Sequence, residues 1–243
     1  MNSSPFDVLL INQVTTITFA MIYRILILLF FTLSSFSSLE SPKLKTPFTS
    51  KTHASNVTTE AETIYYQLNA NHFSLPNFQS FFKAFEGFNS LKSKGLIKNN
   101  ILTIIDFSLS SNAKRLWVID LTNNIILFNT LVAHGRNTGD EFATTFSNAA
   151  SSFKSSLGLY VTGEIYNGKH GISLKLDGLE KGVNDQARAR AVVVHGAEYV
   201  SNAFIKLHKR LGRSLGCPAI PVEFTEKIIK TIKNKSCVFI YHA

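Results

Sequence analysis

The chain has 243 residues, which suits one domain of ordinary size plus extensions; 45% apolar content and 20 phenylalanines supply a sizeable core. The formal net charge of +9 is spread along the chain. It fits a polyanionic partner or a solvated basic surface, and no basic motif interleaved with aromatics favours nucleic acid.

Residues 25–33 form an apolar run with Arg24 before it and Ser34-Ser35-Phe36-Ser37-Ser38 after it. A positive start, a short apolar stretch and small residues read as a secretory signal over residues 1–38, so export to the periplasm or cell envelope is expected. The run is short for a membrane span, so no stable span is expected; an uncleaved anchor is the alternative. Met21 is the only methionine besides Met1 and lies four residues before the run, which makes it the expected start of translation. No cysteine lies near the small residues, which excludes a lipoprotein anchor. Residues 39–57, rich in Ser, Thr, Lys and Pro, read as a flexible linker.

Residues 58–100 read as a helical segment. Thr59-Glu60-Ala61-Glu62 resembles a capping box opening a helix through Ile64, Tyr65 and Leu68. Phe78, Phe81, Phe82, Phe85, Phe88 and Leu91 form a second helical stripe, ended by Gly95. From Ile101 the period changes to that of strands. Leu116–Asp120 and Ile125–Phe128 flank a turn at Thr122-Asn123-Asn124, and Leu159–Tyr166 and Ile172–Leu176 flank a turn at Asn167-Gly168. Ala191–Val194 reads as a short buried strand, Val200–Leu211 and Glu223–Lys233 as helices, and Cys237–Tyr241 as a closing strand. The fold class expected is mainly β with peripheral helices and a helical N-terminal segment, residues 101–243 carrying the chemistry.

That chemistry centres on Ser214-Leu215-Gly216-Cys217-Pro218, with Val193-Val194-His195-Gly196 upstream. A thiolate is the reactive form of cysteine and needs a base and a positive field. His195, at a strand end, is the candidate base, and the Gly196 carbonyl is the candidate partner for its second ring nitrogen. The amides of Gly216 and Cys217 are candidates for stabilising an oxyanion. Arg213 is a candidate source of positive field and a candidate substrate contact, and Ser214 can bond the loop or a substrate. His134 and Arg190 are candidate substrate contacts, against the plainer readings of a satisfied loop histidine and a solvated arginine. His170 and His208 read as surface residues. An exported pair of cysteines can also form a disulfide, Cys217 with Cys237, although Cys237 sits in an apolar strand and Cys217 in a loop. The histidines show no ligand spacing, the cysteines are not paired for metal and no phosphate-binding glycine loop is present, so no cofactor is expected.

These residues resemble the L,D-transpeptidase (YkuD-type) family. Its pattern is a histidine, two residues, a spacer of fourteen to seventeen, then Ser/Thr-His-Gly-Cys. Here His195 is followed by Gly196-Ala197, a spacer of sixteen, then Ser214-Leu215-Gly216-Cys217. Val132-Ala133-His134-Gly135 and Ser155–Tyr160 resemble the region before the catalytic segment, so the resemblance covers residues 101–243. It implies a β-sandwich, Cys217 as the acylated nucleophile, His195 as its base, Gly196 as the residue whose carbonyl orients it and Gly216 in the oxyanion loop. Leu215 stands where the family has histidine, and Ala219 where it has Asn or Arg. Gly212–Pro218 instead matches a divergent Gly-Arg-Ser-x-Gly-Cys-Pro signature. The resemblance implies an exported cysteine acyl-transferase acting on peptidoglycan stem peptides. Hydrolysis by the same residues as an L,D-carboxypeptidase or endopeptidase, and a wall-binding protein without catalysis, are the alternatives. The sequence is silent on oligomeric state.

Overall fold

The computed structural model describes Arg24, residues 51–169 and residues 171–243. The signal region, the Met21 start, residues 39–50 of the linker and His170 lie outside the described residues, Arg24 excepted. Among the described residues no helix is long and apolar enough to cross a membrane.

The chain runs α1 (Lys51–Tyr66), α2 (Phe78–Ser93), β1 (Ile101–Asp106), β2 (Leu116–Asp120), β3 (Ile125–Thr130), β4 (Gly158–Gly168), β5 (Gly171–Gly178), β6 (Val193–Gly196), α3 (Asn202–His208), β7 (Ala219–Ile220), α4 (Val222–Ile232) and β8 (Cys237–Tyr241). Helix α1 begins at Lys51, so the last seven residues of the expected linker are helical and Thr59 lies inside the helix. Helix α2 is capped by the Asn77 side chain, which accepts from the Gln79 amide at 2.8 Å, and its exit passes through Gly95 at φ +67°.

The eight strands form one mixed sheet in the order β3-β2-β1-β8-β4-β5-β6-β7. Strands β1 and β8 are parallel, as are β6 and β7; the other neighbours are antiparallel. Strand β4 pairs with β5 through Gly168↔Gly171. Asn167 and Gly168 therefore sit in the ladder, and the turn falls beyond them.

Apolar side chains fill both sides of the sheet. On one, Phe81, Phe85 and Phe88 of α2 pack against Leu102, Ile104, Trp117, Ile119 and Cys237. Helix α2 is thus part of the domain's core, and truncating a phenylalanine such as Phe85 to Ala costs about 3–5 kcal/mol. On the other, Ile228, Ile229 and Ile232 of α4 meet Val118, Leu174, Val194 and Val238. Val118 and Val194 come from opposite ends of the strand order. The ends also meet in hydrogen bonds: Ala133, three residues after β3, exchanges backbone bonds with Ala219 of β7 at 2.8 and 3.3 Å. This sheet-dominated fold with peripheral helices is a ladder that closes on itself, and the closure lies two residues from Cys217.

Candidate active site

The two-residue strand β7 assembles the site. Its parallel register sets His195 opposite Ala219 and Gly196 opposite Ile220. Cys217 and Pro218 immediately precede β7, so the sheet brings a histidine and a cysteine 22 positions apart to the same end of the β6–β7 pair. On its other side His195 pairs with Ser173 of β5. A strand held on both edges is a rigid platform for a base.

The His195 ring is buried, and its Nδ1 lies 2.9 Å from the Gly196 carbonyl oxygen. A carbonyl only accepts, so Nδ1 carries a proton, and in the neutral form of the ring the lone pair lies on Nε2. Gly196 is glycine because α4 crosses close by: a Cβ there would fall 2.4 Å from Thr225 Oγ1.

The thiol of Cys217 is half-buried and free, as is the fully buried Cys237, so the two form no disulfide. Its Sγ lies 3.7 Å from the Ala191 carbonyl oxygen. Burial pushes the thiol up from its ordinary value, opposed by a hydrogen bond from the Val193 backbone and by the charge of Arg190. The resting group is therefore the neutral thiol, and attack at neutral pH requires a base.

The loop before the cysteine is fixed from within. Ser214 Oγ donates to the Cys217 carbonyl at 2.6 Å and accepts from the Gly216 amide at 3.0 Å. Ser214 thus ties the loop that carries Cys217. The Gly216 amide is likewise engaged, leaving the Cys217 amide as the remaining donor of the expected oxyanion pair. Gly216 has φ +122°, and an added Cβ would lie 2.8 Å from the Lys154 carbonyl oxygen. Both constraints demand glycine. Ser155 Oγ holds the Gly216 carbonyl at 3.1 Å.

Three of the candidate substrate contacts, Arg190, Arg213 and His134, have partners within the protein. Arg190 donates to the Ser147 and Lys154 carbonyls at 2.8 and 2.5 Å and to Ser152 Oγ at 3.3 Å. It clamps the loop beside the thiol and lends its charge there. Arg213 donates through Nη1 to the Arg136 and Gly139 carbonyls and to Asp140 Oδ1 at 2.6 Å, which pins residues 136–140. His134 is almost wholly buried: Arg115 donates to its Nδ1 at 2.8 Å and its Nε2 faces the Gly139 carbonyl at 3.2 Å. Burial first, and the Arg115 charge second, push it down to about 4. It is a neutral histidine at neutral pH with a partner at each ring nitrogen. His208 stacks on Phe204 with ring centroids 4.1 Å apart.

Sequence reasoning passed over Tyr199. Its phenol is pushed up to about 12, chiefly by burial and then by the negative form of Cys217, which places it near the thiol. Gly212 makes room for it, since a Cβ there would come within 2.4 Å of the Tyr199 side chain. Its one sequence signal is its position four residues after His195. Among the described residues no group of three or more His, Cys, Asp or Glu could hold a metal ion.

A family model described as the L,D-transpeptidase catalytic domain matches residues 74–241. That span takes in α2 and both halves of the site, and starts well before residue 101. Comparison with curated proteins finds no match. Among solved structures, an L,D-transpeptidase from Mycobacterium smegmatis aligns at TM-score 0.37 and 10% identity, covering 59% of each chain. One from Stackebrandtia nassauensis aligns at TM-score 0.37 and 10% identity, covering 84% of this chain and 97% of that one. Residues 123–326 of an enzyme from Xylanimonas cellulosilytica align at TM-score 0.34 and 12% identity, covering 83% and 100%. The chain thus spans about three fifths of the Mycobacterium smegmatis structure. With TM-scores this low, the family assignment rests on the sequence match.

Proposed function

Because the chain belongs to the L,D-transpeptidase catalytic domain family, we propose that it is an exported cysteine acyl-transferase acting on peptidoglycan stem peptides. The observation that supports the roles is the β6–β7 register, which sets His195 opposite Ala219, two residues after Cys217, with the His195 Nδ1 held by the Gly196 carbonyl. Export is supported by the apolar run at residues 25–33 behind Arg24.

In this reading His195 Nε2 removes the thiol proton as Sγ attacks the peptide carbonyl between an L-centre and the terminal D-residue. The Sγ–C bond forms, the C–N bond breaks, and the imidazolium returns its proton to the departing amine. The Cys217 amide faces the developing oxyanion. A second amine then attacks the thioester, releasing the thiol and forming a cross-link. If water takes that place, the same residues trim the peptide. The raised thiol supports a base-dependent attack, because a neutral thiol is a weak nucleophile until it loses its proton.

Intact mass after incubating residues 40–243 with purified disaccharide-tetrapeptide tests the reading. A covalent adduct or new muropeptide with wild type and none with Cys217→Ala supports it, and dimers against trimmed monomers separate transfer from hydrolysis. Folded wild type with a titratable Cys217 that gives neither adduct nor product overturns it in favour of a wall-binding protein.

A further inference from the structure

An unpaired cation stands beside the nucleophile loop. The Arg136 amide donates to the Ser214 carbonyl at 2.8 Å. The preceding Gly135 bridges to Ser214 and lies so close that a Cβ on it would fall 2.9 Å from Gly216 Cα. Residue 136 is therefore built onto the loop that carries Cys217, although its side chain is exposed.

That guanidinium is seated. Its Cζ lies 4.2 Å from the centroid of the Phe153 ring. Phe153 has φ +54°, a left-handed conformation that a bulky residue adopts at a cost of order 1–2 kcal/mol. The backbone is kept there by its surroundings: the Phe153 carbonyl accepts from the Asn137 amide at 3.1 Å, and the next carbonyl, of Lys154, is held by Arg190. Strain of this kind persists where the surrounding structure enforces it.

Among the described residues from 101 onward, the other arginine side chains have polar partners. Arg115 bonds the Val132 carbonyl, Arg188 pairs with Glu164 and Asp177, Arg190 clamps its loop, Arg210 bonds the Leu211 carbonyl and Arg213 pairs with Asp140. The Arg136 side chain has neither a hydrogen bond nor an ion pair. A guanidinium seated over a ring through its carbon makes no hydrogen bond to that ring and has N–H donors to offer a planar anion. Leu215, 55% exposed on the same loop, adds an apolar flank where the family pattern has an imidazole.

We propose that Arg136, seated on Phe153, is the subsite for a peptide carboxylate of the donor stem peptide. The inference rests on the functional reading above. Stacking pre-orders the side chain, so less freedom is lost when the carboxylate binds. The contact holds the substrate equally before and during reaction, so it acts on KM rather than kcat.

The test compares wild type, Arg136→Gln, Arg136→Lys and Phe153→Leu. The substrates are disaccharide-tetrapeptide with free carboxylates and the same compound with its carboxylates amidated, the scissile D-residue's excepted. Arg136→Gln is expected to raise KM about tenfold on the free acid, with kcat within about twofold and no added penalty on the amidated substrate. Lysine is expected to recover part of the loss, and Phe153→Leu to fall between. Wild-type turnover with an unchanged Arg136→Gln, or an equal penalty on both substrates, overturns the subsite and leaves the functional reading standing. Wild type that turns over neither substrate overturns the functional reading, and the subsite with it.

Discussion

Two histidines of this chain have nearly the same local sequence and opposite situations. Ala133-His134-Gly135 and Val194-His195-Gly196 each place a buried imidazole between an apolar residue and a glycine. His134 has both ring nitrogens engaged, one by a buried arginine whose charge opposes protonation. His195 has its Nδ1 on its own neighbour's carbonyl and a strand register that delivers a cysteine loop alongside. Much of the difference comes from residues distant in sequence, Arg115 in one case and Ala219 in the other. A histidine's role is set by what the second nitrogen meets, and flanking residues do not encode that.

The contrast is sharpest in a paired substitution. His195→Gln is expected to lower kcat by about 10²–10⁴-fold with little change in melting temperature. His134→Gln is expected to do the reverse, costing about 1–3 kcal/mol of stability by weakening the partner of a buried guanidinium. Muropeptide turnover and thermal melts on both variants decide it; a stable, inactive His134→Gln breaks the comparison.

Next in size is an acid effect. His134 is held at about 4 against 6.5 in the unfolded chain. As pH falls below 6.5 the unfolded state takes up the proton first, so a contribution fully present above 6.5 drains away by about pH 4. The limit is about 3 kcal/mol. Urea melts at pH 7 and pH 4.5 should show most of this loss in wild type and little of it in His134→Gln.

A smaller loss is expected for Gly216→Ala, about 1–3 kcal/mol, from an unfavourable φ and a Cβ crowding the Lys154 carbonyl. Its acylation rate should fall further than its melting temperature suggests, because the displaced backbone carries Cys217, the proposed nucleophile. Stability and rate falling in proportion would mean that the loop relaxes. The mildest effect is that of Arg190→Gln. Its charge draws the Cys217 thiol down against burial, so the pH profile of iodoacetamide alkylation should move to higher pH. An unmoved profile would reduce Arg190 to a loop clamp.

Much of this architecture was legible in order. The phenylalanine stripe of α2, the β2–β3 hairpin and the closing strand β8 announce themselves by period, because each buries one face in a regular way. Cys217 and His195 stood out as a candidate nucleophile and base in glycine-rich settings. What could not be read was connectivity. A two-residue strand has no period, so β7 is invisible until β6 pairs with it. Ser214, Arg213 and Arg190 carry groups suited to substrates, yet the fold engages Arg213 and Arg190 with backbone carbonyls of other segments and Ser214 within its own loop. Arg136 and Phe153 lacked any signal, since their meeting depends on a left-handed phenylalanine seventeen positions away.

The pairing of Ala133 with Ala219 shuts the ladder beside the cysteine. A chain still being threaded or folding lacks that seam. Its cysteine is then an ordinary solvated sulfhydryl, with no imidazole fixed at its side. A fluctuation that parts the seam therefore loosens the two-residue strand that holds the Cys217 loop in register with His195.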